Sequence, residues 1–154
     1  MKSIKEKQSV AIIIWNSVRT KVLLVKRPLN DSNFPGYWGF PAATKEKSDQ
    51  NWEEVAIKAG RIKLGVKVKV VKYLGEDVSD RGKFILRLRD YVVKIVKGKP
   101  KVPQLFKGVT QYTKVKYTSN IRSLIKAAQK GALCSRIFLK SIGIDYQKPT
   151  RFKI

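Results

Sequence analysis

The chain lacks histidine altogether and has a single cysteine, Cys134, in 154 residues. Histidine general-base chemistry and the common zinc ligand sets are thereby excluded, and no internal disulfide can form. No apolar run approaches the roughly 20 residues of a membrane helix, and residues 1–8 are basic and polar, without the apolar stretch of a signal peptide. The expected location is cytoplasmic, with no membrane partner. Acids are scarce as well: 11 Asp and Glu face 34 Lys and Arg, a formal charge of +23. Heat adaptation raises Lys and Glu together so that they can pair; here only the cations are raised. A polyanionic partner is the reading this imbalance favours, and dense phosphate is the commonest polyanion in a cell.

Apolar residues make up 43% of the chain, enough for one folded domain. Residues 9–15 (SVAIIIW) and 21–27 (KVLLVKR) are apolar runs that predict an antiparallel hairpin with at least one central strand. Residues 28–41 predict a loop carrying Phe34, Tyr37, Trp38 and Phe40, with Trp38 and Phe40 read as core packing rather than base stacking. From 51 to 64, Trp52, Val55, Ala56, Ala59 and Ile62 recur at helical spacing, with Lys58, Arg61 and Lys63 placed elsewhere on the wheel. Ser48 or Asp49 is the expected cap and Gly65 the stop. Residues 66–74 and 83–96 read as strands joined through an acidic turn at 76–80, and 112–117 as a short strand. Thr118 or Ser119 should cap a helix running to Lys130, with a further short helix at 133–142 and a basic tail at 147–154.

This order of segments, with VLLVKRP, the loop PGYWGFPAA and a helix closing in LGV, resembles the opening half of a Nudix domain. The similarity covers 9–96, and 112–130 would match the final strand and helix. What the resemblance implies is an α/β (α+β) fold, a Nudix-like α/β/α sandwich with a mixed sheet and a basic C-terminal helical extension. The divisions expected are an arm at 1–8, the Nudix-like domain at 9–130, and a helix and tail at 131–154.

The family's chemistry rests on glutamates of its helix, which hold divalent cations for pyrophosphate cleavage. Anchored on Gly65 and Val66, the signature places Lys58 at its Arg, Ala59 at its first helical Glu, Gly60 at its aliphatic position, and Ile62 and Lys63 at its Glu pair. Ala42 and Ala43 stand in for a Gly pair, the upstream Glu falls on Asp49 or Gln50, and Glu53 and Glu54 lie a turn too early. The expectation drawn from these departures is a catalytically inactive chain with no metal and no cofactor.

With catalysis set aside, the charge points to an RNA-binding structural part of a ribonucleoprotein, with rRNA and neighbouring ribosomal proteins as partners and no obligate small-molecule substrate. The Lys, Ile and Val content suits a heat-adapted archaeal source. The alternative is a chromatin or general DNA-binding protein; third stands a nucleotide-binding or residual Nudix hydrolase. Expected phosphate contacts are Lys97, Lys99, Lys101, Lys114, Lys116, Arg122, Lys126, Lys130, Arg136, Lys140, Lys148, Arg151 and Lys153. Basic ends of this composition fray when alone, so order in them would imply a partner.

Overall fold

A computed structural model describes residues 4–106 and 108–154; the first three residues of the expected arm lie outside the described residues. In chain order the elements are β1 (Glu6–Ile14), β2 (Val22–Lys26), β3 (Trp38–Gly39), β4 (Ala42–Thr44), α1 (Trp52–Ala59) and a π-helical turn (Gly60–Leu64). Then come β5 (Lys67–Asp80), β6 (Ile85–Lys97), β7 (Lys114–Thr118), α2 (Arg122–Lys130) and α3 (Leu133–Ser141). The α+β class with a mixed sheet, expected from the sequence, is what the chain adopts.

The apolar run of β1 follows from burial on both faces. It lies inside a four-stranded sheet of order β4-β1-β6-β5, antiparallel to β4 and parallel to β6. Val10, Ile12 and Ile14 face one core with Val55, Ala56 and Ala59 of α1. Ala11 and Ile13 face a second core, built with Leu124 and Ala128 of α2 and Ile137 and Phe138 of α3. Period-two alternation therefore sorts one strand's side chains between two helical layers. Phe138 anchors the second layer, its ring 5.0 Å from Phe40 and 5.8 Å from Trp15.

The expected hairpin between the first two strands is corrected: β2 belongs to a separate three-stranded sheet, β3-β2-β7, and meets the end of β1 only through an isolated bridge between Trp15 and Val22. β6 lines one edge of β1 from Glu6 to Ile14 and β4 takes the other edge at Ser9–Ala11, while β2 forms its ladder with β7, far along the chain. The expected acidic turn at 76–80 is likewise corrected. Those residues continue β5, where Glu76 pairs opposite Arg89 and accepts from the side chains of Arg87 and Arg89 at 2.8 and 2.9 Å. Cross-strand charge pairs keep acids in a ladder that their β-propensity alone would not favour.

Caps differ from expectation too. Asn51, not Ser48 or Asp49, caps α1: its Oδ1 accepts from Glu54 N at 2.9 Å, while Glu54 reaches back to Gln50 N at 2.6 Å. That is a capping box shifted by one residue. Gly65 ends the helix as expected, in the left-handed region at φ 69°. At α2 the N-cap position falls on Ile121 rather than Thr118 or Ser119, and the preceding Asn120 accepts from Arg122 N through Oδ1 at 3.0 Å.

The tail at 147–154 is tied to its own domain. Ile121 N donates to Phe152 O at 3.0 Å, Ile154 N donates to Ser119 O at 2.9 Å, and Phe152 packs against the second core beneath the Arg122 guanidinium, 4.1 Å away. Its order needs no partner. Among the described residues, no helix is long and apolar enough to cross a membrane.

Candidate functional site

The helix that the resemblance singles out, α1 with its π turn, packs hard on the sheet. A side chain at Gly60 would bring its Cβ within 3.0 Å of Val68 Cγ1, so the bulky aliphatic residue of the signature has no room here. Ala59 is wholly buried in the first core. The wider π turn also moves side chains around the axis. Ile62 is only partly buried, while Lys63, expected among the solvated charges, is 5% exposed; this placement corrects the sequence reading.

Lys63 therefore carries an ammonium into the interior. Its Nζ donates to Thr110 O and lies 5.2 Å from the centre of the buried Tyr112 ring. No carboxylate stands within ion-pair distance of it among the described residues. Burial, chiefly, and the neighbouring Arg27 charge push its pKa down to about 8, with Asp31 pulling weakly the other way. Arg27 sits just beyond the end of β2 and is held by Asp31 at 3.2 Å. Asp31 in turn accepts from the backbone of Phe34 at 2.8 Å and Asn33 at 3.2 Å. Burial raises the Asp31 carboxyl, but those amides and Arg27 outweigh it and leave its pKa lowered.

Lys58, at the signature's Arg, binds Asp49 at 2.5 Å and also donates to Thr44 O at 2.9 Å. Asp49, one candidate for the upstream Glu, is consumed by that pair and by Glu46 N at 2.8 Å. A divalent cation needs several clustered oxygen donors. Here the positions that should supply them hold Ala59, Ile62 and Lys63, and no group of three or more metal-binding side chains exists among the described residues. The donor set does not fit the metal ions implied by the fold.

The expected phosphate contacts scatter. Lys116 lies over Trp38 at 4.0 Å, and Lys126 and Lys130 flank Tyr37 at 5.6 and 4.8 Å, so these three gather around one loop. Lys114 is exposed beside them on β7. Lys97, Lys99 and Lys101 are exposed elsewhere, at and beyond the end of β6, and Lys140, Lys148 and Lys153 are exposed on α3 and the tail. Several cations serve their own fold. Arg136 donates to Ala128 O at 2.8 Å and stacks on Tyr146, Arg151 donates to Ile142 O, and Arg122 covers Phe152.

Beneath the Tyr37–Trp38 loop is a cavity of about 60 Å³, lined among others by Arg27, Arg81 and Ser135. Sequence reading missed all three as site residues: Arg27 was read only as the end of an apolar strand within the VLLVKRP segment, and Arg81 and Ser135 belong to no charge run or motif. A broader groove of about 820 Å³ between β5 and α3 mixes Glu76, Asp77 and Asp145 with Arg136 and Lys140 and converges on no unsatisfied polar group.

No protein-family model matches the chain, and no curated protein matches it. Its fold does resemble solved structures. A MutT protein from Methanosarcina mazei superposes with a TM-score of 0.67 at 14% identity, covering 92% of this chain and 96% of that one. A NUDIX hydrolase from Nitrosomonas europaea gives 0.64 at 14%, covering 90% and 88%. The NUDIX domain of NrtR from Shewanella oneidensis, solved with ADP ribose, gives 0.59 at 16%, covering 92% and 88%.

These resemblances overturn the expectation of a catalytically inactive, RNA-binding ribosomal component, and its DNA-binding alternative with it. The neighbours are Nudix proteins, hydrolases among them, with no ribosomal part in the names quoted, and several cations behind that expectation are engaged inside the molecule. The chain has a Nudix-like fold.

Proposed function

We propose that the chain takes a nucleoside diphosphate derivative as its ligand, meets the phosphates with fixed side-chain cations, and has diphosphate cleavage as the reaction to assay. The observation that supports this most is Lys63, a buried ammonium without a carboxylate partner, at the place where the resemblance puts a metal-binding Glu. A cation in low-dielectric surroundings attracts an anion more strongly than one in water. Thr110 O takes one of the three N–H donors of the ammonium, so others can turn to phosphate oxygens. Arg27 supplies a planar guanidinium whose geometry suits a phosphate group. ADP ribose, the ligand of the Shewanella domain, belongs to the proposed class.

The test is a panel of ADP-ribose, nucleoside diphosphates and nucleoside diphosphate sugars, with and without Mn²⁺. Binding is followed by calorimetry and products by chromatography. At least one class should bind saturably and lose affinity on Lys63→Met, and release of a nucleoside monophosphate identifies the substrate. Failure of all three classes to bind would remove the reading.

A further inference from the structure

The cavity under the Tyr37–Trp38 loop is enclosed on one side by the first turn of α3, where Ala132, Leu133, Cys134 and Ser135 line it. Among the described residues no side chain caps that helix, leaving its opening N–H groups without a side-chain acceptor there. Ser135 is completely buried, and its Oγ has no hydrogen-bond partner among the described residues. A buried hydroxyl without a partner loses its hydration uncompensated, which is rare unless something else occupies the site.

Two guanidinium groups meet at the same cavity. Arg81, in the turn between β5 and β6, reaches across to donate from Nη2 to Gly131 O at 3.0 Å, the turn between α2 and α3. Its Nε is buried and unpartnered, and no carboxylate pairs with it among the described residues. Arg27 lines the other wall, with Asp31 as its counter-charge among the described residues. Lys126 and Lys130 stand at Tyr37. The Cys134 thiol adds no negative charge, since burial, with Asp90 nearby, raises its pKa to about 11.

The polar groups lining this partly apolar cavity are chiefly donors: guanidinium N–H groups, a buried hydroxyl and a helix N-terminus, which together favour an anion with several acceptor oxygens. At roughly 15 Å³ for each enclosed water, the cavity of about 60 Å³ holds about four waters, the size of one phosphate rather than of a whole nucleotide. We infer that Arg81, Ser135 and the first turn of α3, with Arg27, form a binding site for a single phosphate group, either free phosphate or the phosphoryl end of a larger ligand. This site shares Arg27 with the diphosphate reading, while Arg81, Ser135 and the first turn of α3 belong to it alone.

The test is titration of the full chain with inorganic phosphate, in EDTA at moderate salt, followed by calorimetry and by ³¹P line broadening. A nucleoside monophosphate and the corresponding nucleoside are titrated in parallel. Arg81→Gln should weaken phosphate binding by about tenfold and Ser135→Ala by a smaller factor, while Lys47→Gln, which removes the same charge from an exposed loop, should change it less than about twofold. Circular dichroism of Ser135→Ala, the gentler change, guards against loss of fold. Free phosphate binding better than the monophosphate assigns the site to the free ion; the reverse assigns it to a phosphoryl end. Equal weakening by Arg81→Gln and Lys47→Gln, or phosphate heats that do not saturate, would overturn the site. Failure here shows as phosphate binding insensitive to Arg81→Gln, whereas failure of the diphosphate reading shows as nucleoside diphosphate derivatives that do not bind, so the two are distinguishable.

Discussion

Lys58 Nζ lies 2.5 Å from Asp49 Oδ2, tying the last turn of α1 to the loop that precedes it. Both partners come from positions that the resemblance would give to catalysis, and here they hold each other. Burial raises the Asp49 carboxyl, but the bond from Lys58, the Glu46 amide and the charges of Lys58 and Lys45 outweigh it and lower its pKa. A carboxyl lowered on folding stabilises above its unfolded pKa, and that contribution is lost as pH falls through the folded value. Asp49→Asn should therefore cost about 1 kcal/mol at neutral pH and nothing in strong acid, as urea midpoints at the two pH values would show.

Lys63 has the same sign of pH dependence at higher pH, but its charged form costs the fold stability where that of Asp49 supports it. Its pKa falls from an ordinary lysine value to about 8, so between about 8 and 10.5 the unfolded chain binds more protons than the folded one. Stability from this group rises with pH across that window and is lowest, and flat, below it. Other lysines titrate there too, so the comparison is with Lys63→Met. The variant should be more stable at pH 7 by roughly 1–2 kcal/mol and should show the smaller gain on going to pH 10.

Asp90 is wholly buried on β6, neither of its oxygens has a hydrogen-bond partner among the described residues, and desolvation raises its pKa well above the usual value. A carboxyl raised on folding stabilises only below its unfolded pKa, and that support is lost as pH climbs toward the folded value. Asp90→Asn should flatten the decline above about pH 4 and raise the thermal midpoint at pH 8; a lower midpoint there would show that Asp90 has a partner after all.

Divalent cations should do little to this molecule. A ligand stabilises a fold only through binding the native state, and the described residues offer no cluster of metal donors. Millimolar Mn²⁺ or Mg²⁺ should leave the thermal midpoint within about 1 °C of that in EDTA.

How much of this was legible in the sequence depended on the range of the interaction. The apolar run of β1 and the periodicity of α1 are local, and both were readable, as was Gly65 at φ 69°. The pairing of β2 with β7 spans most of the chain, so the nearer partner looked better than the true one. Charge count was readable but charge use was not. Arg136 and Arg151 are spent on backbone carbonyls, whereas Arg81, in an unremarkable turn, reaches the turn after α2. The burial of Lys63 follows from a π turn, which leaves no mark in the residue pattern.

The measurement that bears most directly on the account is calorimetric titration of the full chain with ADP-ribose in EDTA, repeated with Lys63→Met. Saturable binding without a divalent cation, weakened by about tenfold in the variant, is the predicted result. Binding that appears only when Mn²⁺ is supplied, or that is unchanged by Lys63→Met, would contradict it.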